Sequence, residues 1–385
     1  MQNGGAWPNL RITGVTIHLL KTPLSRRFGW SLNWTSTRAA TLVEVSTNAG
    51  LTGWGDGNWG GQRLVDHPEL VIGRSPFEVE AIFDDLRPAA GHQTRRGEAT
   101  AGGLDQAFWD LCGQAVGKPV CDLLGPRHQS RIQPYLTALY RQDWPDVAEG
   151  LAEEALAWRE RGWRRMKMKI GYDPVTDLRA ARAVRRAVGD EVGLGVDANC
   201  AYDAGTALAL GAQMEDLNLM WWEEPLLADD LTGYDRLRAG LRIPIASGET
   251  MSTDRLILDY IQPRRVDILQ PDLDTVGFTG GRRISQLCWL NRMRLVPHNW
   301  GTAVRTAATL HWLAATPPLT PALEGAAMLF EFDQTESPFR DAVVRETIQP
   351  ETEGGTMAVP EGPGLGITVE PEAVAAFTER RIVIR

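Results

Sequence analysis

The chain has 385 residues and a formal net charge of −9, with 43% hydrophobic and 23% charged residues. This length suits one large domain with a smaller one, and the composition is ordinary for a globular protein. The acidic balance argues against nucleic acid or an anionic membrane as the main partner. It leaves open a small anionic substrate, because a local site can be cationic within an acidic protein.

The start of the sequence and its cysteines indicate the cellular compartment. The first residues, MQNGGAWPNLRITG, lack the basic start and apolar core of a secretory signal. No run of about 18 apolar residues predicts a membrane span. The four cysteines are scattered without a CxxC pair, which is typical of reduced thiols. We therefore expect a cytoplasmic protein without a membrane segment.

Residues 1–130 predict an α+β unit in which strands precede helices. Strands are expected at 11–20 and 39–47, with a loop at 25–38 between them. A hairpin turn is expected at 48–56, followed by helices at 76–89 and 98–118. The stretch 25–38 is polar, aromatic and too long for a tight turn. Loops of that length are often functional lids, so we expect a lid here.

Residues 131–340 predict strict alternation of strands and helices. Eight strands are expected, at 132–139, 164–171, 192–199, 219–225, 243–250, 266–273, 294–299 and 328–333. Eight strands in this alternation over roughly 200 residues are typical of a (β/α) barrel. A doubly wound open sheet is the alternative, but it usually carries a glycine-rich phosphate loop that this sequence lacks. Residues 341–385 read as a tail that packs back onto the first unit or the barrel rim.

Three acids fall at the ends of successive predicted strands, where the catalytic groups of a barrel lie. Asp197, Glu223 and Glu249 are equally spaced, one βα repeat apart, so each points a carboxylate into the same mouth. Any one of them could be a helix N-cap or a salt-bridge partner. Three clustered carboxylates repel unless a cation is present, and an all-oxygen ligand set suits Mg²⁺ better than zinc.

The strand RRMKMKIG alternates apolar residues with two lysines, Lys167 and Lys169. A strand of a closed barrel has no solvated inner face. The alternation of lysines with apolar residues is therefore not explained by placing the lysines on a solvated surface. We expect Met166, Met168 and Ile170 to pack outward against the helices. The lysines would then face the barrel mouth.

The ordered motifs KMK, VDAN, EEP, SGET, QPDL and PHNWGT resemble the enolase superfamily, in its mandelate racemase and muconate lactonizing enzyme branch. The likeness covers nearly the whole chain. It implies an α/β fold: a modified TIM barrel, (β/α)7β, with an N-terminal α+β capping domain that the C-terminal tail completes. Longer strings such as VDILQPDL and VPEGPGLGI look closer to galactarolactone cycloisomerases and acid-sugar dehydratases.

The resemblance also implies roles for the residues of the site. The three acids would bind Mg²⁺. Lys169 would be one acid/base group, and His298, paired with Asp272, would be the other on the opposite face of the substrate. A neighbouring ammonium, that of Lys167, and the divalent cation would lower the pKa of Lys169 enough for it to act as a base.

Further residues would bind the substrate. Lys167 would lie near its carboxylate, and Asn199 would also contact it. A glutamate of the last strand would bond the same carboxylate. Glu331 is preferred for this role because MLFEFD reads as the strand, and Glu324 is the alternative. The cap loops, about 25–38 and 56–63, would select the substrate.

The expected reaction is removal of the proton α to a carboxylate, followed by β-elimination from an acid sugar or its lactone. Racemisation or epimerisation of a 2-hydroxy acid is the alternative outcome of the same first step. A Schiff-base lyase with Lys169 as nucleophile is a second alternative, although it needs no triad of acids. A barrel that binds its ligand without turnover is disfavoured by acid/base groups on both faces. The resemblance suggests a homo-oligomer.

Overall fold

The computed structural model describes residues 9–31, 33–86, 100–251, 254–319 and 328–385. Its strands are β1 (Ile12–Trp30), β2 (Asn33–Thr47), β3 (Thr52–Asp56), β4 (Arg131–Thr137), β5 (Arg165–Lys169), β6 (Gly193–Asp197), β7 (Leu219–Glu223), β8 (Ile245–Ser247), β9 (Ile268–Leu269), β10 (Arg294–Leu295), β11 (Leu329–Asp333), β12 (Met357–Ala358) and β13 (Thr378–Ile384).

The helices of the same residues are α1 (Gly61–Asp66), α2 (Val79–Leu86), α3 (Gly102–Val116), α4 (Val120–Leu124), α5 (Val147–Glu160), α6 (Pro174–Val188), α7 (Ala204–Met214), α8 (Leu231–Gly240), α9 (Asp254–Ile261), α10 (Leu273–Leu290), α11 (Ala303–Ala315) and α12 (Pro371–Phe377). Among them, none combines the length and apolar character needed to cross a membrane.

The cap is an antiparallel sheet in the order β13-β1-β2-β3, with helices against one face. Most of cap helix α3 is buried, and this helix packs on β3 and on barrel helix α10. The last strand, β13, pairs with β1, so the tail completes the cap as expected. The tail also contributes β12, which pairs with β4 of the barrel.

The prediction of a loop at 25–38 is wrong, because β1 and β2 continue through these residues. We call this extension of the two strands the hairpin arm. The two strands are paired from Phe28–Thr35 to Trp30–Asn33, after a register shift. Gly29 and Arg141 exchange backbone hydrogen bonds of 2.7 and 3.0 Å, so the arm is tied to the segment that follows β4. Pairing with a second segment satisfies backbone groups that a loop would leave to water.

The barrel is a curled parallel sheet in the order β11-β4-β5-β6-β7-β8-β9-β10. All eight strands predicted from the sequence are therefore confirmed, with helices between successive strands. Helix α5 follows β4 and was not singled out by the sequence. The amide of Asn299 bridges the two ends of the sheet by donating to the Glu331 carbonyl at 3.2 Å. The domain boundaries at 130 and 340 stay predictions.

The interior of the barrel below the mouth is filled by side chains from β4, β7, β8, β9 and β11 and from the residue after β10. This cluster comprises Tyr135, Trp221, Ala246, Ile268, Val296 and Leu329. Gly195 leaves room for the indole, since a Cβ there would lie 3.0 Å from Trp221. Met166 and Met168 belong instead to the main core, outside this inner cluster, as the alternation of β5 predicts. The polar side chains at the strand ends therefore stand on a rigid apolar floor.

The seam between cap and barrel is made close by glycines. Gly57 has φ 137°, and a Cβ there would lie 2.5 Å from the Asp274 Cα. A Cβ at Gly102, in α3 of the cap, would lie 2.3 Å from the Leu273 carbonyl oxygen of α10. Asn58 N–H donates to the Asp274 carbonyl at 3.1 Å, at the start of α10. The expected cap loop at 56–63 thus begins as a segment docked on the barrel.

Candidate active site

The three strand-end acids meet in one buried cluster. Asp197 ends β6, Glu223 ends β7, and Glu249 lies two residues beyond β8. One carboxylate oxygen of each lies within 4.8 Å of the others. The parallel register that aligns Asp197 with Glu223 is responsible for this meeting. The cluster could hold a metal ion, and its donor atoms are all carboxylate oxygens.

The two lysines of β5 face this cluster. Lys169 Nζ donates to Asp197 Oδ2 at 2.5 Å and to Asn199 Oδ1 at 2.9 Å. Lys167 Nζ donates to Glu223 Oε1 at 2.6 Å, and its contact with Glu331 Oε1 is 2.7 Å. Both lysines are buried, so each ammonium is compensated by carboxylates rather than by water.

The net shift of the Lys169 pKa is opposite to the one expected from its lysine neighbour. Burial is the largest single effect and lowers the pKa of Lys169, but Asp197, Tyr140 and Glu249 together raise it above the usual range. The charge of Lys167 does lower this pKa, in the expected direction. Without a cation on the carboxylates, Lys169 is held as an ammonium. This state does not suit the nucleophile of a Schiff-base lyase.

A histidine–aspartate pair stands at the other end of the cluster. His298 Nδ1 is 2.5 Å from Asp272 Oδ2, and His298 Nε2 is 3.2 Å from Glu249 Oε2. Asp272 and His298 are aligned by a parallel bridge between the extensions of β9 and β10. Burial lowers the pKa of His298, but Glu249, Glu331 and Asp272 together raise it to about 10.

Asn199 and Glu331 lie inside the same network. Asn199 adopts φ 41°, a left-handed conformation that asparagine tolerates, and its amide is 3.4 Å from Glu249 Oε1. Glu331 also accepts from Thr137 Oγ1 at 2.6 Å. Burial raises the pKa of Glu331, but Lys167 and His298 lower it below its usual range. It is therefore ionised rather than a protonated donor. Glu324 lies outside the described residues.

A cavity of about 490 Å³ opens above the site, between the barrel mouth and the cap sheet. Its barrel side includes Glu249, Asp272, His298, Trp300, Arg305, Asp274 and Thr275, and its cap side includes Lys21, Thr41 and Asn58. This volume lies in the range of small-molecule sites. The cap thus lines the cavity mainly through strands β1 and β2.

The hairpin arm closes one side of the mouth through aromatic and charged contacts. Trp30 meets Trp300 edge-on with ring centroids 5.8 Å apart, and the Arg38 guanidinium lies 3.9 Å above the Trp300 ring. Arg38 is also ion-paired with Asp333, at the end of β11. Trp300 follows His298 by two residues, so the arm contacts the loop that carries the histidine.

Several residues of the network were not identified from the sequence. Gln270 Nε2 donates to Glu223 Oε2 at 2.7 Å, and Trp221 Nε1 donates to the same oxygen at 3.1 Å. Asn299 N–H donates to Glu331 Oε2 at 3.1 Å. Gln270 and Asn299 lie within the motifs QPDL and PHNWGT, which was the available signal. Nothing local distinguishes Trp221 from a core tryptophan.

Comparison with known proteins places this geometry in a family. Residues 150–373 match the family described as enolase C-terminal domain-like. Residues 13–125 match the mandelate racemase / muconate lactonizing enzyme N-terminal domain. The two matches correspond to the barrel and to the cap.

Individual relatives agree over most of the chain. D-galactarolactone cycloisomerase of Agrobacterium fabrum is 35% identical over 375 residues, covering 96% of this chain and 99% of that protein. L-talarate/galactarate dehydratase of Salmonella typhimurium is 31% identical, covering 87% and 81%. The crystal structure of 3,6-anhydro-D-galactonate cycloisomerase from Zobellia galactanivorans matches with TM-score 0.84 and 29% identity, covering 96% and 100%. The chain belongs to the enolase superfamily, in the branch of mandelate racemase and muconate lactonizing enzyme.

Proposed function

We propose that this protein is a Mg²⁺-dependent enzyme that removes the proton α to the carboxylate of an acid sugar or its lactone and then expels the β-oxygen. The observation that carries the proposal is the placement of two acid/base groups at the two ends of one carboxylate cluster. Lys169 contacts Asp197, and His298 contacts Glu249. The similarity to a lactone cycloisomerase and to acid-sugar dehydratases supports the substrate class.

The residues present fit a magnesium ion. Asp197, Glu223 and Glu249 offer three buried oxygen donors within 4.8 Å, with no sulfur or imidazole among them. Hard divalent cations bind such oxygen sets, and Mg²⁺ commonly keeps positions for water or substrate oxygens. When bound, the ion would supply positive charge against the oxyanion that develops on the substrate carboxylate.

The reaction divides between the two ends of the site. One of Lys169 and His298 takes the α-proton, and its electron pair moves into the carboxylate to form an enediolate. Collapse of the enediolate breaks the bond to the β-oxygen, and the other group donates a proton to that oxygen. Lys167 provides a buried positive charge beside the carboxylate cluster.

The identity of the β-oxygen decides the outcome. If it is a hydroxyl, water leaves and the reaction is a dehydration. If it is the ring oxygen of a lactone, the ring opens and the reaction is a cycloisomerisation. If the second group instead returns a proton to the α-carbon, the substrate is racemised or epimerised. The alternatives therefore share a first step and differ in the product.

The test is a substrate screen in deuterated water with Mg²⁺, using galactarolactone, galactarate and arabinonate. NMR would follow α-proton exchange and the products. We expect exchange with elimination in the wild type and loss of both on chelation. Lys169→Ala and His298→Asn should each lower the rate at least about a hundredfold, the usual contribution of an acid/base group.

Three results would contradict all or part of this proposal. An unchanged rate of α-proton exchange in both variants would show that Lys169 and His298 are not the acid/base groups. Trapping of substrate on Lys169 by borohydride would favour a Schiff-base lyase. Racemised product without elimination would retain the first step and replace the second.

We place the protein in the cytoplasm, which its four unpaired cysteines support. The homo-oligomer remains a prediction.

A further inference from the structure

A buried arginine connects the histidine–aspartate pair to the cap. Arg305 Nη1 donates to the two oxygens of Asp272 at 2.9 and 3.1 Å, and Nη2 donates to Asp56 Oδ1 at 2.7 Å. Asp56 is the last residue of β3 and is fully buried. Its other oxygen accepts from Thr302 N–H at 2.6 Å. A continuous set of charged hydrogen bonds thus runs from the cap to His298.

The position of Arg305 has no explanation in helix packing. It lies in α11, where every residue from Ala303 to Ala314 is buried and most side chains are small or apolar. A buried guanidinium is costly unless carboxylates compensate it, and here Asp56 and Asp272 do so closely and Asp274 at 3.6 Å. Gly301 makes room for the arrangement, because a Cβ there would lie 2.8 Å from both Asp56 Oδ2 and Arg305 Nε.

The cap end of this connection is fixed by docking onto the barrel. Gly57 N–H donates to the Thr41 carbonyl at 2.8 Å within the cap sheet, and Asn58 N–H donates to the Asp274 carbonyl at 3.1 Å. The two residues that follow Asp56 are therefore anchored, one to the cap sheet and the other to the barrel. The Asp56 carboxylate reaches the barrel only when the cap is seated.

We propose that Asp56 and Arg305 are positioning residues that hold Asp272, and through it the His298 imidazole, in the reactive orientation. Docking of the cap on the barrel then fixes the orientation of His298, one of the two acid/base groups. The other group, Lys169, is held by Asp197 and Asn199 within the barrel and does not depend on this connection. The effect on turnover rests on the function proposed above, whereas the orientation of His298 can be measured without substrate.

The first test observes the imidazole directly. Protein labelled with ¹⁵N-histidine and loaded with Mg²⁺ contains six histidines, and His298→Asn assigns the relevant signals. We expect the Nδ1–H proton bonded to Asp272 to shift or broaden in Asp56→Asn and in Arg305→Met. Unchanged His298 signals in folded Asp56→Asn would overturn the proposal, also if Arg305→Met does not fold.

A matched control separates this effect from general damage to the cap. Asp105 is another buried acid of the cap, and it accepts from Thr279 Oγ1 and N–H on α10. These hydrogen bonds do not involve Asp272 or His298. Asp105→Asn should therefore leave the His298 signals as in the wild type. A shift of these signals as large as that in Asp56→Asn would mean that any disturbed cap contact suffices, which would overturn the specific role.

The second test measures turnover with whichever acid sugar or lactone of the screen is converted. We expect Asp56→Asn and Arg305→Met to lower kcat by about ten- to a hundredfold with little change in KM, as for misplaced reacting groups. The double variant should be no slower than Arg305→Met, because Asp56 acts through Arg305. A raised KM with wild-type kcat and unchanged His298 signals would make Arg305 a substrate ligand and overturn the proposal. If none of the substrates reacts, the proposed function fails, while the imidazole signals still decide this inference.

Discussion

At the scale of single residues, opposite charges on other strands compensate the two buried lysines of the site. Lys169 and Lys167 are neighbours on β5, yet their closest polar contacts are carboxylates of β6, β7 and β11. These contacts raise the pKa of both lysines, against burial. A cation bound to the acids would oppose this effect. The metal site and the basicity of Lys169 are therefore two aspects of one charge cluster.

A buried acid away from the site provides a test of pH dependence. Burial raises the pKa of Asp105 to about 7, although hydrogen bonds from Thr279 oppose this. The folded protein then binds the proton more tightly than the unfolded chain, in which the pKa of aspartate is about 3.9. This contribution to stability is present at low pH and declines as the pH rises from about 4 to about 7.

Asp105→Asn should remove that pH dependence, because an amide does not ionise. Urea unfolding of wild type and variant at about pH 5 and about pH 8 would measure the difference. We expect the wild type to lose more stability than the variant between these two conditions. Equal losses would show that Asp105 is ionised in the folded protein.

At the scale of elements, strand register places the site residues and glycines set how closely the elements approach. The sequence allowed the eight barrel strands, the inward lysines and the acids to be predicted, since period and spacing are local properties. It did not allow the hairpin arm to be predicted, because its pairing depends on contacts such as Gly29 with Arg141, far along the chain. Arg305 was missed for the same reason, although a lone arginine in the apolar segment AVRTAATLHWLAA was a usable signal.

The glycine seam makes a prediction at this scale. Gly57→Ala adds a methyl group 2.5 Å from the Asp274 Cα at φ 137°, so both a clash and backbone strain oppose it. We expect a loss of about 2 kcal/mol or more in unfolding free energy. Gly50→Ala is the matched control, with φ 74° and nothing within 4 Å of the added atom. Its loss should be about 1 kcal/mol, from strain alone. If urea unfolding gave equal losses of unfolding free energy for the two variants, the close contact between cap and barrel at Gly57 would be refuted.

At the scale of the whole molecule, the two ends of the described chain share one sheet. Strand β13 covers an edge of β1 from Leu20 to Val15, and β12 pairs with the start of β4. The tail therefore belongs to both the cap and the barrel. This arrangement was expected in outline from the sequence, but the strand pairing was not, since short polar strands such as TERRIVI carry a weak signal.

Deletion of residues 378–385 should expose the backbone edge of β1. We expect a lower thermal midpoint and greater light scattering on heating, because an uncovered edge strand pairs with other chains. Deletion of the exposed Arg385 alone is the control and should change neither quantity. A truncated protein with an unchanged midpoint would mean that β13 adds no stability to the cap.

The pairing of Val15 with Ile384 also has a consequence for biosynthesis. On the ribosome, an early segment usually folds as soon as it emerges. Here β1 must wait for a strand about 370 residues further along the chain to be translated before its sheet is complete. The barrel strands can assemble meanwhile, so the enzyme's mouth forms before the cap that covers it. Slow synthesis of the residues that precede β13 would prolong the time in which β1 is open to chaperones or to neighbouring nascent chains.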